Sequence, residues 1–148
     1  MSHFENSLLK IDVVAKNKTD LFEMMVEDFF QGGIISNKER FLSAIWEREN
    51  IFSTGIGYGI AIPHARQEDV KEFKIGLYIL KNNLEYESVD NLPVRIVFML
   101  AVPIESHKEY ISVLSLLSKA MHLEENRNFL LNCSKAQDIL DFLRESIS

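Results

Sequence analysis

The feature that most limits what this chain can become is an unbroken apolar run, Ile96-Val97-Phe98-Met99-Leu100-Ala101-Val102, preceded by Val94 and a single Arg95. A strand with one wet face alternates apolar and polar side chains, whereas a strand covered on both faces reads as almost continuously apolar. Residues 94–102 are therefore expected to form a central strand, ended by Pro103, with a packed layer on each side. The run is far short of the ~20 residues a membrane helix needs, so no bilayer span is expected.

Helical spacing elsewhere supplies the layers. Over residues 20–30, Leu21, Phe22, Met25, Val26, Phe29 and Phe30 recur at the period of one helix face, and Gly32-Gly33 provides the stop. Ser36 with Glu39, Ser106 with Glu109, and Ser134 with Gln137 have the spacing of capping boxes, in which a hydroxyl and a carboxylate or amide satisfy backbone donors at a helix start. The first box predicts a helix to about Glu49 with Phe41, Leu42, Ile45 and Trp46 inward. The second predicts a helix to Met121 with Tyr110, Val113, Leu114, Leu117 and Met121 on one stripe, and the third a last helix burying Ile139, Leu140 and Leu143. Further strands are expected at 10–15, 60–62 and 74–80, with turns in the glycine-rich stretch and around Asn82-Asn83 and Asp90-Asn91-Leu92-Pro93. Interleaved strands and helices predict an α/β fold: one domain over residues 1–148, a mixed, mostly parallel β-sheet flanked by α-helices on both faces. With 148 residues, no low-complexity linker and no internal repeat, a single core is the expectation.

Charge and cysteine usage narrow the function classes. Sixteen Lys and Arg against twenty-two Asp and Glu give a net charge of −6, the wrong sign for a surface that displaces counterions from nucleic acid. The lone Cys133 forms no intrachain disulfide, and the first residues lack the basic and apolar regions of a signal peptide, so a reduced, cytoplasmic protein is expected.

Chemistry concentrates in Ser53-Thr54-Gly55-Ile56-Gly57-Tyr58-Gly59-Ile60-Ala61-Ile62-Pro63-His64-Ala65, which holds three of the six glycines. It is neither a dinucleotide fingerprint, which needs Gly where Ile60 stands, nor a P-loop, which needs G-K-[ST]. Pro63 fixes one backbone angle and biases Ile62 to an extended form, delivering His64 stiffly to the end of a strand, where open α/β sheets bind ligands. The chain has no G-x-S-x-G elbow, Cys133 has no motif around it, and His3, His64, His107 and His122 are too scattered to suggest zinc. His64 is left either as the reactive nitrogen itself, a nucleophile or base, or as a structural histidine.

Residues 55–64 resemble the active-site signature of the enzyme IIA components of the phosphoenolpyruvate-dependent sugar phosphotransferase system, of the fructose, mannitol and nitrogen-regulatory type. Glu47-Arg48-Glu49 upstream, Val89-Asp90-Asn91-Leu92-Pro93-Val94, Phe98-Met99-Leu100-Ala101-Val102-Pro103 and Leu114-Ser115-Leu116-Leu117-Ser118-Lys119 extend the resemblance over nearly the whole chain. It implies a phosphocarrier without a cofactor or metal: His64 accepts a phosphoryl group from HPr and passes it to a cysteine of a IIB domain or protein, for sugar uptake. The alternative is a nitrogen-regulatory phosphorelay protein acting through regulated binding. Since Cys133 does not resemble a IIB cysteine, IIB and the membrane IIC are expected in separate chains.

The resemblance also implies active-site support. Arg48 would fork onto phosphate oxygens, or else pair with Glu47 or Glu49. The register that follows places the family's second active-site histidine at Tyr110, with His107 one turn earlier on the same side, in the first helical turn where anions are favoured; either His107 reaches the site from that turn, or Tyr110 donates its hydroxyl, or no second imidazole is used. Thr54 and Ser53 would supply donors or simply form a turn. Ile56 and Tyr58 are expected either on a transient docking face or in the core, and His3 and His122 at the surface.

Overall fold

In the computed structural model, residues 3–147 are described; Met1, Ser2 and Ser148 lie outside the described residues, and with them the first two positions of the N-terminal stretch read above. The strands are β1 (Phe4–Val13), β2 (Gly55–Gly57), β3 (Ile60–Ala61), β4 (His64–Gln67), β5 (Lys74–Leu84) and β6 (Val94–Pro103). The helices are α1 (Lys18–Gln31), α2 (Lys38–Ile51), α3 (His107–His122), α4 (Glu124–Asn132) and α5 (Ala136–Ile147), and a 3₁₀ turn over Ile104–Ser106 leads into α3.

Successive strand residues point to opposite sides, and along β6 this sorts the apolar run between two cores. Ile96, Phe98, Leu100 and Val102 meet residues of α3, α4 and α5, while Val97, Met99 and Ala101 meet residues of α1 and α2. The sheet order is β1-β5-β6-β3-β2, with β4 also on β6. Neighbours β1–β5, β3–β6 and β4–β6 are parallel, and β5–β6 and β2–β3 antiparallel. The expected mixed sheet with helices on both faces is therefore what forms, although its long central pair is the antiparallel one.

The helix stripes fall as the spacing predicts. Leu21, Phe22, Met25 and Phe29 are fully buried, as are Leu117, Ile139 and Leu143. Truncation of one such leucine to alanine costs about 2–5 kcal/mol. Leu42 and Trp46 are only half-buried, packed against the rim of their core.

The helix starts differ from the capping boxes. Helix α2 is capped by Asn37, whose Oδ1 accepts the Arg40 N–H at 3.0 Å, while Ser36 is drawn off to the Asp69 carbonyl. Asparagine caps as well as serine, and the pairing of Ile35 with Val70 holds Ser36 outside the helix. Ser106 makes no side-chain cap, because the 3₁₀ turn already carries the chain into α3. The Gln137 amide donates to Asp141, one turn onward.

Other boundaries move as well. Strand β1 begins six residues before the expected 10–15 strand and β5 runs on through Asn82-Asn83, while the glycine-rich turn contains β2. Helix α4 was not expected, for its only buried residue is Leu130 and most of its surface is polar. No helix of the described residues is long and apolar enough to cross a membrane.

Candidate active site

Strands β3 and β4 are two halves of one interrupted strand beside β6. Ile60 and Ala61 lie opposite Ile96 and Val97, and pairing resumes with His64 opposite Leu100. The break falls at Ile62-Pro63, where proline has no N–H to give; the Pro63 carbonyl still accepts the Leu100 N–H at 3.0 Å. His64 thus opens a resumed strand instead of following a finished one. Its side chain takes the α3 side with Leu100, and Ala65 the other. Upstream, β2 approaches so closely that a Cβ on Gly55 would run into Ser88, and Gly57 adopts φ +103°, so these two positions require glycine.

The imidazole is held at both nitrogens. Nδ1 lies 2.9 Å from the Ile62 carbonyl, which can only accept, so Nδ1 carries the proton. Nε2 then presents its lone pair, to which the Tyr110 hydroxyl donates at 2.9 Å. His64 is 8% exposed. Burial, chiefly, holds its pKa below the ordinary 6.5; the Arg48 charge acts in the same direction, and the Ile62 bond and Glu49 oppose it. At neutral pH it is a neutral ring with one bare nitrogen. Burial also raises the Tyr110 phenol above its usual 10, against the pull of Arg48 and Arg66, so Tyr110 stays a donor.

Two clefts meet at His64 and Arg48. One, of about 350 Å³, is largely apolar, with Phe52, Ile56, Ile62 and Leu114 among its walls. The other, of about 430 Å³, carries Arg66, His107 and Tyr110. Since Tyr110 marks the direction of the Nε2 lone pair, the unprotonated nitrogen faces the second, cationic cleft. An anion there would meet two guanidiniums, whose planar forks suit phosphate oxygens.

Arg48 makes no ion pair with Glu47 or Glu49 among the described residues; one of its N–H groups binds the Phe52 carbonyl at 2.6 Å. His107 is exposed on the wall of the cationic cleft, its ring centroid 6.1 Å from that of Tyr110, and Tyr110, not His107, reaches His64. Thr54 is buried and lines the apolar cleft, yet its hydroxyl binds Glu49 at 2.5 Å and Tyr86 at 2.7 Å. The Ser53 hydroxyl accepts the Gly55 N–H. Tyr58 is exposed at the hairpin tip between Arg127 and His122, while Ile56 is half-buried in the apolar cleft. His3 is not a plain surface residue, for it stacks on Phe73 with centroids 4.5 Å apart. Among the described residues no cluster of His, Cys, Asp or Glu is arranged to hold a metal ion.

Two residues were missed from the sequence. Arg66 sits two places after His64 on β4, hence on the same face, and ties to the Ile104 carbonyl at 2.9 Å. A strand assigned from His64 onward would have revealed it through period two. Glu49, read only as a neighbour of Arg48, is buried behind the site against Lys18 at 2.8 Å; no spacing rule pairs residues 18 and 49.

The chain matches the family described as "Phosphoenolpyruvate-dependent sugar phosphotransferase system, EIIA 2" over residues 2–146. It is 33% identical over 137 residues to the fructose-specific EIIABC component of Bacillus subtilis, covering 93% of this chain but only 22% of that larger protein. To the fructose-specific EIIA component of Haloferax volcanii it is 26% identical over 140 residues, 95% of this chain and 91% of the other. The crystal structure of nitrogen regulatory protein IIA-Ntr from Neisseria meningitidis superposes with a TM-score of 0.90 at 26% identity, covering 95% of this chain and 96% of that one.

Proposed function

The chain belongs to the EIIA 2 family of the phosphoenolpyruvate-dependent sugar phosphotransferase system, and from that premise we propose that it is a cytoplasmic phosphohistidine carrier working through Nε2 of His64. The observation that carries this reading is the hydrogen bond from Nδ1 to the Ile62 carbonyl, which leaves Nε2 bare and facing Arg48, Arg66 and Tyr110.

The Nε2 lone pair attacks the phosphorus of phosphorylated HPr in line; the new N–P bond forms as the donor's N–P bond breaks, and the donor imidazole leaves with that electron pair. Such a loose transition state asks mainly for positioning and for charge stabilisation of the equatorial oxygens. Arg48 and Arg66 supply the charge, and the Tyr110 hydroxyl moves from Nε2 to a phosphoryl oxygen. While phosphorylated, the ring keeps its Nδ1 proton on Ile62. A thiolate of a IIB unit then takes the phosphoryl group, and His64 leaves neutral. His107, on the outer wall, serves as a further donor to the bound phosphoryl group, whereas Thr54 acts by holding the backbone. Exposed Ile51, Phe52 and Val89 at the cleft mouths suit brief docking of both partners.

The fructose-specific relatives favour a role in sugar uptake, with a IIB unit as the phosphoryl acceptor. The close superposition on a nitrogen regulatory protein supports a second reading, in which the phosphorylation state controls binding to other proteins. Incubation with labelled phosphoenolpyruvate, enzyme I and HPr should place an acid-labile label on the wild type and none on His64→Ala. An unlabelled wild type, or equal labelling of the variant, refutes the carrier. Passage of the label to an added fructose-type IIB protein supports the uptake role, and retention in its presence supports the regulatory one.

A further inference from the structure

Behind the reactive histidine lies a polar cluster that the phosphoryl chemistry does not touch. Both Glu49 oxygens are occupied: Oε2 accepts the Thr54 N–H at 2.9 Å and pairs with Lys18 Nζ at 2.8 Å, while Oε1 accepts the Thr54 hydroxyl at 2.5 Å and faces Tyr86 Oη at 3.3 Å. Lys18 also donates to the Tyr86 carbonyl and lies 4.2 Å from the centre of its ring. Glu49 is 6% exposed and Tyr86 fully buried. Oε2 thus meets two donors and Oε1 the Thr54 hydroxyl, while the single Tyr86 proton is shared between Thr54 Oγ1 at 2.7 Å and Oε1 at 3.3 Å. From this cluster a continuous path runs to the site. Thr54, gripped through both its N–H and its hydroxyl, accepts the Ile62 N–H on its carbonyl at 2.9 Å, and the Ile62 carbonyl accepts Nδ1–H of His64.

We propose that Glu49 is a positioning residue for phosphoryl transfer: anchored by Lys18 from α1, it fixes Thr54 and, through the Ile62 backbone, the tautomer and direction of the His64 ring. The proposal rests on the carrier reading for its effect on rate, but its structural part stands without it. Three observations converge. Ile62 lies in the gap between the two stretches paired with β6, and its N–H is held from the other side by the Thr54 carbonyl, one step beyond the Gly55–Ala61 pair of the hairpin. Thr54 contributes no side-chain donor to the cleft because its hydroxyl is consumed by Glu49 and Tyr86. And Glu49 follows Arg48 on α2, so one helical segment presents a guanidinium to the front of the site and a carboxylate to its back.

Glu49→Gln is the decisive variant, since it removes the charge that pairs with Lys18 and puts an N–H donor in place of one acceptor oxygen, so that the Thr54 and Tyr86 hydroxyls must turn. In the wild type, long-range proton–nitrogen spectra of the imidazole should show one neutral tautomer with a slowly exchanging Nδ1–H. In Glu49→Gln the two tautomers should mix, the Nδ1–H should exchange rapidly, and phosphorylation by HPr should slow about 10–100-fold, the scale of losing an orienting partner or an ångström of alignment. Leu140→Ala, in the core under α5, lowers thermal stability but should leave both readouts unchanged. Unaltered His64 spectra and rate in Glu49→Gln, whatever its melting temperature, overturn the proposal. If that variant does not fold, Thr54→Val and Tyr86→Phe should give the same spectral change in smaller measure, and wild-type spectra in both are equally fatal. A wild type that takes no label sinks the carrier reading alone, because the tautomer comparison needs no phosphoryl donor.

Discussion

Two polar clusters lie on either side of Ile62, and they differ in what is left unfilled. Around Glu49 both carboxylate oxygens are engaged by donors, and the group is buried. Around His64 one nitrogen is fixed on backbone, and the other holds only a phenol O–H at the junction of two open clefts. Burial explains the first arrangement, because an unpaired buried polar group costs about 1–3 kcal/mol. Chemistry needs the second: a nucleophile must keep a lone pair that an incoming group can take. On the proposed reading, the closed cluster supplies geometry and the open one reactivity.

After loss of His64 itself, the largest effect expected in the open cluster comes from Arg48→Met, which keeps the apolar stem and removes the fork. Phosphorylation should slow about 100-fold, as when one preorganised donor is lost from a transition state, with little change in melting temperature. A large loss of stability with normal transfer would mean that Arg48 serves the fold through Phe52 and not the chemistry.

A smaller effect concerns pH. Burial lowers the folded-state pKa of His64 below 6.5, so between the folded value and 6.5 the unfolded chain binds more protons. The contribution of His64 to stability is therefore full above 6.5 and is lost as pH falls toward the folded value, with a slope of at most about 1.4 kcal/mol per pH unit. Thermal melts of His64→Gln should lack this part of the acid slope, and melts that follow the wild type throughout would contradict the assignment. Phosphoryl acceptance should likewise persist somewhat below pH 6.5, failing only once Nε2 is protonated.

The smallest effect probes a group belonging to neither cluster. The Ser88 hydroxyl is buried against Gly55 without a hydrogen-bond partner among the described residues. Ser88→Ala should be neutral or stabilising by up to about 1 kcal/mol, with transfer unchanged. Appreciable destabilisation would show that the hydroxyl has work to do beside the hairpin.

What the sequence revealed divides along the same line. The apolar run at 96–102 announced the central strand because a strand covered on both faces admits few other residues, and the stripes of α1, α3 and α5 followed from helical period. The meeting of His64 and Arg48 on one pair of clefts follows the glycine-flanked motif and its family resemblance, and the contact of Tyr110 with His64 is one of the alternatives the register leaves open. Glu49 and Arg66 were not, since their roles arise from tertiary meetings: Lys18 with Glu49 across two helices, and Arg66 with the turn before α3. The capping boxes misled because their short pattern competes with Asn37 and with a 3₁₀ entry that only the folded chain selects. Helix α4 escaped notice because a single buried leucine leaves almost no periodic signal.

The central claim is that His64 reacts through Nε2 while Nδ1–H stays on the Ile62 carbonyl. Nitrogen and phosphorus spectra of the wild type after phosphorylation by HPr test it most directly. Phosphorus coupled to Nε2, with a protonated and slowly exchanging Nδ1, is the expected result. A phosphoryl group on Nδ1 would contradict it, because that nitrogen would have had to abandon the backbone bond on which the site is built.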